Sequence, residues 1–197
     1  MTPTRPRRAP ALLGALVLAL GLAAPTAAGA DEPLWQLLRG GGQVVLIRHA
    51  STEPGTGDPP GFRLDDCATQ RNLSDAGREE ARRIGEAFRA RGIPVGRVLS
   101  SRWCRCLETA RLAFGRAEPW EALDSLYDAP VRERERTEAV RALIAAGVGP
   151  GNLVLVTHNF NIRALTGVSP ASGELVVVTP GPSGPTVAGR LPPSALR

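Results

Sequence analysis

The sequence of 197 residues contains no lysine: all 24 of its basic side chains are arginine. Every fixed cation is therefore a planar guanidinium that stays charged and grips oxyanions through paired N–H groups. Aromatic residues make up only 4% of the chain, as four Phe, three Trp and one Tyr, which argues against a surface for stacking nucleic-acid bases. Surplus positive charge is also scarce once it is located. The formal charge is +5, but Arg5, Arg7 and Arg8 crowd the first ten residues and the rest of the chain carries +2. That is too mild to draw nucleic acid. There are three cysteines, Cys67, Cys104 and Cys106, and no CxxC or HExxH spacing, so no zinc site is expected, nor any other cofactor. What remains, 43% hydrophobic and 22% charged residues, suits one globular domain and excludes a disordered, collagenous or multi-span membrane protein.

The opening residues read as an export signal. Arg5, Arg7 and Arg8 form a positive segment, Ala11 to Ala24 is an apolar run broken only by glycines, and Ala28-Gly29-Ala30 is a small-x-small cleavage site. The run falls short of the ~20 residues that a spanning helix needs. The division expected is a signal peptide over 1–30 and one domain over 31–197, periplasmic or secreted, with no stable membrane insertion after cleavage. In an oxidising compartment a cysteine pair is expected. Cys104 and Cys106 diverge by about 200° on a helix, so the bond expected joins Cys67 to Cys104 or to Cys106.

Along the mature chain, Gln43–Ile47 reads as a strand buried on both faces, followed by a long Gly/Pro/Asp-rich loop from Ser51 to Gln70. Ser74 caps a helix running to Arg91, with Ala81, Ile84, Gly85 and Phe88 on one face. Pro94–Leu99 is a second strand. Arg102–Phe114 is a second helix, with Trp103, Leu107, Ala110 and Phe114 on its buried side. Pro119–Leu123 reads as a short strand. Arg132–Ala146 is a third helix whose Arg/Glu alternation marks a solvated face. Leu153–Thr157 is another buried strand, followed by a short helix to Leu165, and Glu174–Thr179 and Thr186–Leu191 form a closing hairpin. The alternation predicts a three-layer α/β fold, with a mostly parallel central sheet flanked by helices.

The chain has two histidines, and each stands just past a buried strand, as His49 after Val44–Arg48 and His158 after Leu153–Thr157. In parallel sheets ligands bind beyond the carboxyl ends of the strands, where two such histidines can meet. Arg48 precedes His49, and Arg105 opens a helix at the same sheet edge. Guanidinium forks and imidazoles together suit a phosphoryl group, and the amides of Asn159 and Phe160 at the start of a helix add to an anion cradle. Cysteine-based phosphate chemistry is excluded by spacing: the positions six after each cysteine hold Leu73, Ala110 and Leu112 rather than arginine.

Four segments resemble the histidine phosphatase superfamily, in its phosphoglycerate-mutase-like branch: Arg48-His49-Ala50, the Leu73-Ser74-x-x-Gly77-x-x-x-Ala81 helix start, Ser100-Ser101-x-x-x-Arg105-x-x-x-Thr109-Ala110, and Val156-Thr157-His158-Asn159. The export signal and the Thr-His-Asn context are similar to exported members that include the lipopolysaccharide-core heptose phosphate phosphatases. The resemblance implies that His49 is the nucleophile that becomes phosphohistidine, with Arg48, Arg105, His158 and Asn159 around the phosphate. A neutral imidazole is a competent nucleophile and needs no metal.

Three positions depart from the family pattern. Ser125 stands where many members place a glutamate proton donor, Asn159 follows the second histidine where another branch has aspartate, and Ser51 replaces a frequent glutamate. The proton donor is then sought at Asp128 or Asp124, with Glu133 assigned to the charged helix face. The function expected is an exported, metal-independent phosphomonoesterase acting on a small phosphorylated substrate, such as an envelope sugar phosphate. The alternatives are a catalytically weak periplasmic module that binds a phosphorylated ligand, or a phosphohistidine-protein phosphatase. Asp58, Arg63, Asp65 and Asp66 in the long loop are either substrate-selecting or solvated.

Overall fold

A computed structural model describes Met1 and residues 31–196; the expected signal peptide therefore lies, apart from Met1, outside the described residues. The elements in chain order are α1 (Glu32–Arg39), β1 (Val44–Arg48), α2 (Asp75–Ala90), β2 (Val95–Ser100), α3 (Cys104–Phe114), β3 (Glu118–Pro119), α4 (Glu133–Ala145), β4 (Asn152–Thr157), α5 (Asn159–Thr166), β5 (Leu175–Thr179) and β6 (Thr186–Leu191). The sheet runs β3-β2-β4-β1-β5-β6. Its first four strands are parallel, and β5 and β6 close the far edge antiparallel. No helix among the described residues is long and apolar enough to cross a membrane.

Strand periodicity sorts the core into two halves. Val45, Ile47, Val154, Val156, Leu175 and Val177 face α1, α2 and α3. Their neighbours Val44, Leu46, Leu153, Leu155, Val176 and Val178 face α4 and α5. A sheet covered on both faces needs apolar residues at both parities, and the continuous Val/Leu/Ile runs follow from that.

Some elements differ from the sequence reading. Helix α1, not anticipated, has an acid and a proline in its first turn and buries Trp35 and Leu38. In α3 the buried face is Cys106, Ala110 and Ala113, while Leu107 and Phe114 are only partly covered; small residues let α2 and α3 approach closely, and Trp103 sits before the helix as its cap residue. Only Glu118 and Pro119 pair with β2 before the chain turns into a short 3-10 segment at Glu121–Leu123. The solvated face of α4 has one exception. Arg136 is buried and donates to the carbonyls of Asp124 and Ser125, both at 3.2 Å.

The segment after β1 is anchored rather than free. A disulfide joins Cys67 to Cys104, 37 positions apart; closing a loop of that length stabilises by about 3–4 kcal/mol in the chain-entropy model. Cys106 is the free, buried thiol. The Ser51 carbonyl packs onto α2 where Gly77 stands, and a Cβ there would lie 1.8 Å from that oxygen. The glycine of the Leu73–Ala81 motif is thus a contact point for the turn that follows His49. Ser74 caps the same helix by accepting from the Gly77 amide at 3.1 Å.

Candidate active site

In the parallel pair β1/β4, Arg48 stands opposite Thr157. The next residue on each strand is a histidine, so both leave the sheet side by side, and their ring centroids are 5.4 Å apart. The turn holding His49 is fixed from three sides. The His49 amide donates to the Thr157 carbonyl at 2.9 Å. The Ala50 amide donates to Thr109 Oγ1 at 3.1 Å, and the Ser51 amide to Glu80 Oε2 at 2.8 Å. Thr109 is thereby explained as part of its motif.

The two imidazoles are committed through opposite nitrogens. Nδ1 of His49 lies 2.9 Å from the Ala50 carbonyl. A carbonyl only accepts, so Nδ1 carries the proton and Nε2 keeps its lone pair. Nε2 of His158 lies 2.9 Å from Ser101 Oγ and 3.5 Å from Cys106 Sγ, leaving Nδ1 without a partner among the described residues. Burial, then the Arg105 charge, holds the His49 pKa down at about 3. Burial, then the neighbouring His49, holds His158 well below the ordinary histidine value. Burial pushes the Cys106 thiol up to about 12, so it packs as a neutral group.

Around the histidines lies a cleft of about 240 Å³ lined by Arg48, Arg71, Arg105, Ser125, Asn159 and backbone at Gly55–Gly57, with Tyr127 and Phe160 at its edge. Arg105 is buried, and its Nη1 donates to Asp58 at 2.8 and 3.0 Å. Its Nε, like that of Arg48, is buried with no acceptor among the described residues. Buried N–H groups of this kind are costly unless something accepts from them. Helix α5 begins here, and no side chain caps it.

The structure brings His49, Arg48, Arg105, His158 and Asn159 together at this cleft. The Asn159 side-chain amide and an Arg48 Nη1 both donate to the Pro170 carbonyl, at 3.0 and 2.9 Å. The carboxylates suggested as proton donors are not in the lining. Asp124 is fully buried and accepts from the Arg102 amide at 2.9 Å, Arg102 Nε at 2.7 Å and Ser101 Oγ at 3.3 Å. It braces Ser101, and through it His158, because the 3-10 turn before it directs its side chain towards the start of α3. Asp128 is exposed, and its charge is felt by Arg71.

The loop charges divide. The Asp58 side chain is buried, accepting also from Trp103 Nε1 and the Arg71 amide, both at 2.9 Å. Despite burial, these donors hold its pKa below the usual carboxylate value, so it stays an anion beneath Arg105. Arg63 and Asp65 pair in solvent.

Sequence reasoning missed Arg71, which lines the cleft and also donates from Nε to the Gly57 carbonyl at 2.9 Å and from Nη1 to Thr52 Oγ1 at 2.6 Å. Its one signal is its place two residues before the Leu73-Ser74 helix start, at the end of a loop too long to be idle. Ser101 lies within the Ser100–Ala110 motif and Asp58 within the long loop, and nothing in their spacing signals the contacts that they make.

Residues 44–130 match the model of the histidine phosphatase superfamily (branch 1). No curated protein matches the chain by sequence. Among solved structures, a protein assigned as a phosphohistidine phosphatase, SixA, from Agrobacterium tumefaciens is 25% identical with a TM-score of 0.51, covering 76% of this chain and 97% of that one. The protein histidine phosphatase SixA complexed with tungstate is 18% identical with a TM-score of 0.53, covering 79% and 99%. The open reading frame Rv3214 from Mycobacterium tuberculosis is 15% identical with a TM-score of 0.58, covering 75% and 95%. The three-layer α/β fold is shared with these structures.

Proposed function

We propose that this chain is an exported phosphomonoesterase that needs no metal and works through a phosphohistidine on His49. The observation that carries the reading is the commitment of His49 Nδ1 to the Ala50 carbonyl. It puts the ring proton on Nδ1, so that the ring, held neutral by burial, keeps its Nε2 lone pair to attack phosphorus while Arg48, Arg105, Arg71 and His158 surround it. Arg105, anchored on Asp58, and Arg48 both line the cleft and bring fixed positive charge to it. His158 donates from Nδ1 when the Ser101 hydroxyl donates to its Nε2. Four donors converging on one phosphoryl group stabilise the charge on its equatorial oxygens. The Cys67–Cys104 disulfide suits the oxidising compartment implied by the leader-like opening residues.

The test is to trap the intermediate. Brief mixing with a phosphoester followed by alkaline quench gives a mass increase of one phosphoryl group on the His49 peptide. Retention of that label in His49→Ala at another residue overturns the assignment. A second reading, a phosphatase for phosphohistidine on proteins, is favoured by the similarity to the two SixA structures. Turnover of a phosphohistidine-bearing peptide well above that of any small ester decides for it. Envelope sugar phosphates belong to the same panel.

A further inference from the structure

Resting on the phosphatase reading, we propose that the cleft selects phosphate carried on an aromatic leaving group, an aryl phosphate. Of the eight aromatic residues in the chain, two are exposed, Tyr127 at 52% and Phe160 at 37%. These two stand together at the cleft, with ring centroids 5.8 Å apart and planes tilted by 42°. Both are held in place. A Cβ on Gly57 would lie 3.3 Å from Tyr127 Cε1, so that ring rests on the loop across the cleft. The Arg163 guanidinium sits 4.8 Å from the Phe160 centroid. Exposed rings fixed beside a phosphate pocket offer a face for another ring. A cleft of about 240 Å³ lies below the ~300 Å³ typical of the smallest drug-sized sites, so it takes a phosphoryl group and about one ring.

The chemistry of the lining points the same way and is independent of the rings. No carboxylate among the described residues lines the cleft: Asp58 is engaged by Arg105, Trp103 and Arg71, and Asp124 by Arg102 and Ser101. Both histidines are held neutral. An alkoxide, far more basic than a phenolate, needs a proton as it leaves; a phenol, with a pKa of about 10, departs as phenolate. In the step proposed, His49 Nε2 forms the P–N bond as the P–O bond to the ring breaks. The electron pair leaves on the aryl oxygen, which takes a proton from water at the open mouth. A water then attacks phosphorus, the P–N bond breaks, and inorganic phosphate is released with the water's proton passing to solvent.

The experiment compares phenyl phosphate, glycerol phosphate and glucose 6-phosphate as substrates for the wild-type protein, Tyr127→Ala and Phe160→Ala. Phenyl phosphate is expected to lead both alkyl esters in kcat/KM by about 10²-fold or more, the scale of a missing general acid. Each ring deletion is expected to raise KM for phenyl phosphate roughly tenfold more than for glycerol phosphate. Calorimetry supplies a readout that needs no turnover: phenyl phosphate binds wild type roughly tenfold tighter than inorganic phosphate, and Tyr127→Ala removes the difference. Glucose 6-phosphate turned over as fast as phenyl phosphate overturns the proposal, as does equal loss on all three esters in the ring variants. Absence of turnover with every ester overturns the phosphatase reading instead, and the calorimetric preference then stands or falls separately.

Discussion

His49 and His158 are the same residue, one step past adjacent parallel strands, both buried and both neutral. They differ in which nitrogen the protein has taken. His49 gives Nδ1 to a backbone carbonyl that can only accept, so its tautomer is dictated and its free nitrogen is a nucleophile. His158 gives Nε2 to a serine hydroxyl that donates or accepts, so its tautomer answers to what enters the cleft and its free nitrogen is a donor to an oxyanion. Role follows from the hydrogen bond on the far side of each ring rather than from residue type or position on the sheet.

The sharpest break of that pairing is His49→Ala. It is expected to abolish turnover, with the fold retained as judged by circular dichroism, because no other side chain at the cleft carries an available nucleophilic lone pair set in this way. His158→Ala, by contrast, removes a donor and is expected to cost about 10²–10³ in kcat, the scale for losing one oxyanion-hole contact. Arg105→Ala is expected in the same range. Equal and total loss in both histidine variants would erase the distinction drawn between them.

The strand-end placement of both histidines was legible in the sequence, because a buried β run ending in Arg-His or Thr-His leaves little doubt where the chain exits the sheet. The layer order was legible too, since strands apolar at both parities demand helices on both faces. What was not legible depended on side chains meeting across long separations. Asp58 reaches Arg105 over 47 positions, and Arg71 joins the cleft only because the loop folds back. Asp124, sought as a proton donor, lies outside the cleft lining for a related reason. Sequence adjacency to the family's glutamate position says nothing of direction, and Arg102, 22 positions earlier, captures the carboxylate. Around α3 the expected burial holds at Trp103 and Ala110 but is only partial at Leu107 and Phe114, where the closeness of α2 favours the smaller Cys106 and Ala113.

What the two rings share is tested by pH. Each has a folded pKa below that of an unfolded histidine, near 6.5. As pH falls from 6.5, the unfolded chain takes up protons that the folded one refuses until far lower pH, so stability declines with acidification. The folded value of about 3 for His49 puts the whole range from 6.5 to 5 inside this window. The lowered carboxylates, Asp58 and Glu174, titrate below it. The pair is expected to lose about 3 kcal/mol between pH 6.5 and 5, the slope for each ring rising from about half of 1.4 kcal/mol per unit at pH 6.5 to nearly all of it at pH 5 as the unfolded histidines protonate. Urea unfolding at the two pH values measures it. His49→Gln is expected to remove about half of the slope, and saturating phosphate, which favours protonated rings, to flatten it. A slope unchanged in that variant would mean that burial does not hold the ring neutral.

The smallest effect expected comes from the hydroxyl that separates the two roles. Ser101 is fully buried, and Oγ lies within 2.9 Å of His158 Nε2, 3.3 Å of Asp124 Oδ1 and 3.3 Å of the Trp103 amide. It has one proton to give. Donating to Nε2 places the His158 proton on Nδ1, facing the cleft, and the Arg102 amide and guanidinium still satisfy Asp124. Donating to Asp124 instead requires the proton on Nε2 and turns Nδ1 into an acceptor, which repels a phosphoryl oxygen. Ser101→Ala removes the choice and leaves Cys106 Sγ, 3.5 Å away, as the remaining neighbour of Nε2. One net hydrogen bond is worth about 1 kcal/mol, so the loss in kcat/KM is expected to stay within about tenfold, far short of His158→Ala. The discriminating measurement is the nitrogen NMR of the His158 ring with vanadate bound. In the wild type, Nδ1 should carry the proton; in Ser101→Ala the two tautomers should mix. A wild-type ring protonated at Nε2 with the anion in place would give His158 the same kind of free nitrogen as His49, and the difference between the two rings would then have to come from position alone.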